Sequence, residues 1–343
     1  MKFGQATIKD IARELNISSS TVSRALKDYP GISDETKAKV KELAKKLNYR
    51  PNAVALSLRK SKSLTIGVII PEVVHFFFST VISGIEEVAY AHNYNVILLQ
   101  TNESEEREKA AIDTMMRNQI DGLLVSFSKD TTDFSHFKDL MDYNYPIVFF
   151  DRLPALADTV NVVVNDFSGA YQATTHLIEQ GYRNIMHLAG PENLTISKER
   201  KKGYIKALEE AGLPIREKWI IPCPLGTSEE SQRLTEPILA AEERPDAVFA
   251  SNDVAAAGAM MAAKKLGLKL PKEFGAVGFS NWQFSSMIEP PLSSVSQPGF
   301  EMGEKAAQLL LQMIDSQSSE AFQAKTEVLD TGLIVRKSSL KNS

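Results

Sequence analysis

Five residues near the amino end, Ser18, Ser19, Ser20, Ser23 and Arg24, fall on one side of a short predicted helix whose other side carries Val22, Ala25 and Leu26. Hydroxyls beside an arginine make a poor core element. They suit the major groove of duplex DNA, where hydroxyls meet phosphates and base edges and Arg pairs with guanine. A second set of chemically able residues lies far downstream, each at the end of a predicted strand: Ser126 and Ser128, Asp151-Arg152, Asn165-Asp166, Ser251-Asn252-Asp253 and Ser280-Asn281. In parallel sheets ligands bind beyond the carboxyl ends of strands, so these residues are candidates for holding a small molecule. Taken singly, each Asp or Asn could equally be a turn or cap former; their convergence on one rim favours a site.

The first set must be positioned by helices. Thr7-x-x-Asp10 reads as a variant capping box, followed by Ile8, Ile11, Ala12 and Leu15 at helical spacing. Asn16-Ile17-Ser18 breaks that period, and Ser18 caps the next helix. A third helix is predicted from about Asp34 to Leu47, capped by Ser33, with Val40, Leu43, Ala44 and Leu47 inward and five lysines outward. Asn48-Tyr-Arg-Pro51 ends it, because the residue before proline avoids helical geometry. The segment from Asn52 to Lys60 reads as about two helical turns, too short to hold alone in water, so it orders only with a partner. With a symmetry mate, Val54, Ala55 and Leu58 could form a minor-groove wedge, Leu58 prying a base step apart.

Charge separates the same regions. Residues 1–62 carry 14 Lys and Arg against 6 Asp and Glu, while the remainder carries 25 against 37. A basic arm on an acidic body suits a polyanionic partner. No apolar run approaches the ~20 residues of a membrane span. The amino end lacks an apolar signal core, and the single cysteine, Cys223, precludes an internal disulfide. A cytoplasmic protein without a membrane partner is expected.

From Leu64 onward short apolar runs alternate with helical stretches. Strands are predicted at 64–70, 95–101, 121–127, 147–151, 160–164, 184–190, 247–252 and 276–280. Helices are predicted at about 79–92, 103–118, 166–180, 196–211 and 254–266. Repeated βα units imply α/β architecture with parallel sheets covered by helices and right-handed crossovers. Phe76-Phe77-Phe78 leaves the first strand, where phenylalanines either stack on a sugar or planar ligand or cover the sheet edge.

The segment from Thr7 to Lys62, with Thr21-Val-Ser-Arg24 and Asn48-Tyr-x-Pro-Asn52, closely resembles the lactose-repressor (LacI/GalR) family of bacterial transcription regulators, and the resemblance continues through nearly the whole chain. It implies a helix-turn-helix domain at 1–50, a hinge helix at 51–62, and a two-lobed core like periplasmic sugar-binding proteins at 63–343. The N-lobe is expected at about 63–163 plus 293–322, and the C-lobe at about 164–292 plus 323–343. By position, DNA contacts fall to Thr7, Ser18, Ser19, Ser20, Ser23, Arg24, Tyr49, Asn52, Ala55 and Leu58. Effector contacts fall to Phe77, Phe78, Ser126, Asp151, Arg200, Asn252, Ser280 and Gln297.

The resemblance further implies a homodimer on a near-palindromic double-stranded operator, controlled by a small-molecule effector, with no cofactor and no metal. The chain lacks the carboxyl-terminal leucine heptads of tetrameric members. One departure stands out: the family's Gly-[Tyr/Phe]-Asp-[Asp/Asn] reads Gly278-Phe-Ser-Asn281, so Ser280 replaces an acid, and Asn281 or Asp253 could take over its hydrogen bonds. An enzyme fused to a DNA-binding module, such as a sugar kinase, is the alternative. The sequence lacks Gly-x-x-x-x-Gly-Lys-[Ser/Thr], Gly-x-Gly-x-x-Gly and Gly-x-Ser-x-Gly motifs, and its five histidines lack metal spacing.

Overall fold

A computed structural model describes residues 6–49, 62–316 and 323–342. The chain forms two compact units, Met1–Leu64 and Thr65–Ser343. The predicted hinge residues Asn52, Ala55 and Leu58 lie outside the described residues.

The smaller unit holds α1 (Ile8–Glu14), α2 (Ser19–Leu26) and α3 (Asp34–Lys46). Each helix starts where a hydroxyl can satisfy a free amide: Thr7, Ser18 and Ser33 accept from the N–H groups of Asp10, Thr21 and Thr36. Asp10 answers Thr7 and completes the capping box. Between α1 and α2 the chain reverses through Asn16 at φ 52°, a left-handed conformation that asparagine tolerates. Ile11, Val22, Ala25, Val40, Leu43 and Ala44 fill the core where the helices meet.

The larger unit contains two six-stranded sheets. The first sheet comprises β1 (Thr65–Ile70), β2 (Asn95–Gln100), β3 (Gly122–Val125), β4 (Ile147–Phe150), β5 (Val160–Val164) and β11 (Lys325–Leu329), in the order β11-β5-β4-β3-β1-β2. The second comprises β6 (Ile185–Ala189), β7 (Ile220–Pro222), β8 (Ala247–Ala250), β9 (Gly275–Phe279), β10 (Ser293–Ser296) and β12 (Gly332–Ile334), in the order β12-β10-β9-β8-β6-β7. All pairings are parallel except β10 with β12.

The helices of the first lobe are α4 (Phe76–Ala91), α5 (Glu105–Arg117), α6 (Ser135–Asp142) and, after the chain returns, α11 (Gly299–Asp315). Those of the second are α7 (Asp166–Glu179), α8 (Thr195–Glu210), α9 (Ser228–Leu239) and α10 (Asp253–Lys265). The central strands are buried nearly throughout, as parallel strands covered on both faces must be, while the edge strands β2, β7, β11 and β12 are partly exposed. At the α4–α11 seam, Gly84 and Gly303 bring main chain against main chain: a Cβ on Gly84 would strike the Phe300 carbonyl, and one on Gly303 the Val81 carbonyl.

Two lobe assignments need correction. Ser293–Ser296 was expected in the N-lobe but forms β10 in the second sheet, beside Val277–Phe279. Lys325–Leu329 was expected in the C-lobe but pairs with Val160–Val164 in the first sheet. The chain crosses between lobes at 164–166, 296–299 and 329–332. The first of the two segments carries three serines around one valine, so it lacks the apolar run that betrays a buried strand. Its serines are instead satisfied by hydrogen bonds, Ser293 with Ser338 and Ser339, and Ser294 with Asp253.

Phe76–Phe78 also differ from expectation. They are the first turn of α4, which begins three residues earlier than predicted. Phe78, Val81 and Ile85 follow one another at helical spacing and enter the core, where Phe78 meets Phe150 edge-on.

Candidate functional site

On α2, Val22 and Ala25 are fully buried while Arg24 is exposed. Ser18 and Ser20 are exposed and hydrogen-bonded to each other, and Ser19 and Ser23 are half-buried. Arg24 lies over the exposed Tyr29 ring, 5.9 Å from its centroid. Thr7 is exposed but already engaged with Asp10. Tyr49, half-buried, packs against the core of this unit, and burial raises its phenol pKa.

In the larger unit the carboxyl ends of both sheets face a common cleft. Asp151, at the end of β4, senses the charge of Arg200 on α8 in the other lobe. Asp166 in turn senses Asp151. The Asn193 side chain, before α8, donates to the Lys129 carbonyl, after β3. The His75 and Trp282 rings meet edge-to-face across the lobes at 5.3 Å. A cavity of about 380 Å³ lies here, lined in part by Phe76, Phe77, Thr80, Ser280, Gln297 and Phe300.

The buried charges of this cleft are almost entirely paired. Arg152 makes a fork of two hydrogen bonds to Glu103, 2.8 and 2.9 Å, and donates to the Phe127 carbonyl. Arg200 contacts Asp166 Oδ1 through Nε and Nη2, donates to the Ser251 carbonyl at 2.6 Å, and lies 3.7 Å over the Phe279 ring. Burial outweighs the Arg200 charge and pushes the Asp166 carboxyl up to about 6.

Asp151 is the exception. Only 5% exposed, it holds φ 66°, a left-handed conformation unusual for an aspartate. Its nearest cationic atom is Arg152 Nε at 3.8 Å, too far for a hydrogen bond. Arg152 Nε, beside it, has no hydrogen-bond partner among the described residues, while the Ser126 hydroxyl helps to hold the carboxylate ionised. Burial raises the Asp151 pKa, against the pull of Arg152 and Arg200.

Ser280 adopts φ 94° and donates to Gln297 Oε1 at 2.7 Å, leaving Gln297 Nε2 buried and without a partner. Neither residue expected to replace the missing acid is free to do so. Asp253 accepts from Trp282 N, Ser285 Oγ and Ser294 Oγ. Asn281 Oδ1 is held by Arg336. Both are occupied in fixing the turn that carries Ser280. Asn252 caps α10 through Ala255 N–H.

Thus Phe77, Ser280 and Gln297 line the cavity, Ser126, Asp151 and Arg200 lie outside its lining, and Phe78 belongs to the core. The reading of the sequence missed Glu103, His75 and Trp282. Only their place just beyond strands could have signalled them.

Comparisons with known proteins agree across the chain. Residues 7–52 match the family described as bacterial regulatory proteins, lacI family. Residues 63–337 match that of periplasmic binding proteins and the sugar binding domain of the LacI family. Catabolite control protein A of Priestia megaterium is 32% identical over 316 residues, covering 92% of this chain and 94% of that one. The transcriptional repressor CytR of Escherichia coli K12 is 32% identical over 331 residues, 96% of this chain and 95% of its own. Among solved structures, the lac repressor dimer bound to operator and an anti-inducer is similar with a TM-score of 0.84 at 25% identity, covering 98% and 100% of the two chains. A CelR–cellobiose complex gives 0.73 at 25% identity, covering 97% and 100%. The chain belongs to the lacI family of bacterial regulatory proteins, dimeric repressors that bind operator DNA under the control of a small-molecule effector.

Proposed function

We propose that the solvent face of α2 reads the operator and that the interlobe cleft takes a sugar or sugar derivative. The observation that carries the DNA reading is the division of α2 itself. Its apolar side is used up by the core, and what remains outward is a row of hydroxyls with one unpaired-to-acid guanidinium, Arg24. Arg24 pairs with a guanine edge, the serines and Thr7 fix phosphates, and Tyr49, Asn52, Ala55 and Leu58 extend the contact toward the minor groove.

The sugar assignment is supported by the cavity's size, near the lower end of ordinary ligand pockets, and by a lining of phenylalanines and polar groups, with Glu301 as its one acid. The CelR relative's complex with cellobiose points the same way. The protein acts in the cytoplasm, as regulators of DNA do, and not as an enzyme: relatives such as PurR and CytR are named as transcriptional repressors, and the nucleotide-binding and nucleophile motifs are missing from the sequence. Among the described residues no helix is long and apolar enough to cross a membrane.

Arg24→Ala tests the assignment. Specific operator binding is expected to weaken by ~10–100-fold, with non-specific DNA binding retained, in a gel-shift titration against scrambled DNA. Undiminished discrimination would move the reading surface elsewhere.

A further inference from the structure

We infer that Tyr29 positions Arg24: its ring lies against the flat face of the guanidinium and sets the plane in which Arg24 presents its N–H groups to a base edge. This rests on the reading of α2 above and adds a second residue to it.

The placement comes from the way α2 ends. Lys27 closes the helix, and Asp28 follows at φ 54°, a left-handed position that usually falls to glycine. The Asp28 N–H donates to the Ala25 carbonyl at 3.2 Å, and the Tyr29 N–H to the Arg24 carbonyl at 3.0 Å. These two bonds make a Schellman cap, which brings the second residue past the cap against the third from the helix end. Here those residues are Tyr29 and Arg24. The guanidinium carbon lies 5.9 Å from the ring centroid, within reach of cation–π attraction.

The surroundings keep the ring there. The Asp28 carboxylate accepts from Lys41 Nζ at 2.5 Å, which ties the cap to α3. Pro30 denies Tyr29 helical geometry. The Ile32 N–H donates back to the Tyr29 carbonyl at 3.2 Å, and Ile32 packs on the core of the unit. The ring is nonetheless 55% exposed, so burial does not explain where it sits.

The kind of contact matters. Asp28, four residues past Arg24, is a natural competitor for the guanidinium, but Lys41 engages its carboxylate and holds it below the usual carboxylate range. Among the described residues no acid pairs with Arg24. An acid would occupy the N–H edge that pairs with guanine O6 and N7. A ring engages the face and leaves that planar fork free. It also orders the side chain in advance, so less freedom is lost on binding.

Full-length protein first selects from duplexes carrying inverted repeats of randomised half-sites, and the enriched duplex is the gel-shift probe. Tyr29→Leu is expected to bind it about tenfold more weakly than the wild type, about threefold for each half-site of a dimer. Tyr29→Phe, which keeps the ring, stays within about twofold. Binding to a scrambled duplex is unchanged in both. The deciding readout is coupling. In an Arg24→Ala background, Tyr29→Leu is expected to change neither affinity nor the base preference that Arg24→Ala has relaxed. An equal loss with and without Arg24 would mean that the ring touches DNA itself or merely shapes the unit, and overturns the inference. An unweakened Tyr29→Leu does the same. Thermal melting checks that each variant is folded; should Tyr29→Leu fail, Tyr29→Met is read in its place.

If the wild type enriches no sequence, or Arg24→Ala discriminates as well as the wild type, the reading of α2 falls and this inference with it. Relaxed discrimination in Arg24→Ala beside an undiminished Tyr29→Leu sinks this inference alone.

Discussion

Strand for strand the two lobes correspond, β4 with β9 and β3 with β8, and Asp151 and Ser280 occupy the same place in each. Both follow the end of their strand immediately, and both hold a positive φ. Their chemistry is opposite. Asp151 is a buried acid flanked by the Ser126 hydroxyl and the Arg152 guanidinium, while Ser280 is a neutral residue already bonded to Gln297. The second lobe does possess a buried acid nearby, Asp253, but three donors saturate it. A repeated topology therefore fixes where polar residues can face the cleft without fixing what they do there. An acid filled by its own lobe is framework; an acid left open is a place for something else.

Three substitutions bear on that contrast. The largest effect is expected from Arg200→Ala, which leaves Asp166 buried beside no counter-charge. Loss of one partner from a buried pair costs about 3–5 kcal/mol, read as a lowered urea midpoint, and effector response is lost with it. A midpoint unchanged from wild type would show that Asp166 is not truly enclosed.

Asp253→Asn comes next. Burial pushes the Asp253 carboxyl up to about 6, above the value of an unfolded aspartate. The folded state therefore holds this proton more tightly than the unfolded state does. The resulting stabilisation is full below about pH 4 and is lost as pH rises through about 6, on the order of 2–3 kcal/mol in all. Denaturant midpoints between pH 4 and 7 are expected to fall less steeply in the variant. Equal slopes would remove Asp253 from the framework role.

Asp151→Asn should change stability least. The substitution relieves the desolvation of a carboxylate whose one hydrogen-bonding neighbour among the described residues is the Ser126 hydroxyl, which an amide oxygen can still accept, so the midpoint at pH 7 is expected to hold or rise. The change in operator affinity on effector binding is expected to disappear. A large loss of stability would make Asp151 another framework acid and erase the contrast between lobes.

Much of this was legible in the sequence, for reasons that differ by region. The caps Thr7, Ser18 and Ser33 are local signals, each satisfied within three residues, and the helices of the smaller unit follow from them. The alternation of apolar runs and helical stretches located the central strands because those strands are buried on both faces. What periodicity cannot carry is pairing at a distance. Arg152 meets Glu103 across 49 positions and Arg200 meets Asp166 across 34, so the sequence identifies Asp151 as a candidate without revealing that its neighbours are occupied. The lobe crossings were misplaced because β10 is rich in serine, and Phe78 was misassigned because three phenylalanines in a row carry no period.

The glycine seam between α4 and α11 has a mechanical consequence. Where backbone rests on backbone there is no side chain to repack and so no slack, and the two helices must turn together as one bar. Phe77 and Phe300 ride at the ends of that bar that line the cavity. A single methyl at Gly303 would act as a wedge against the Val81 carbonyl, loosening the bar one helical turn from the cavity.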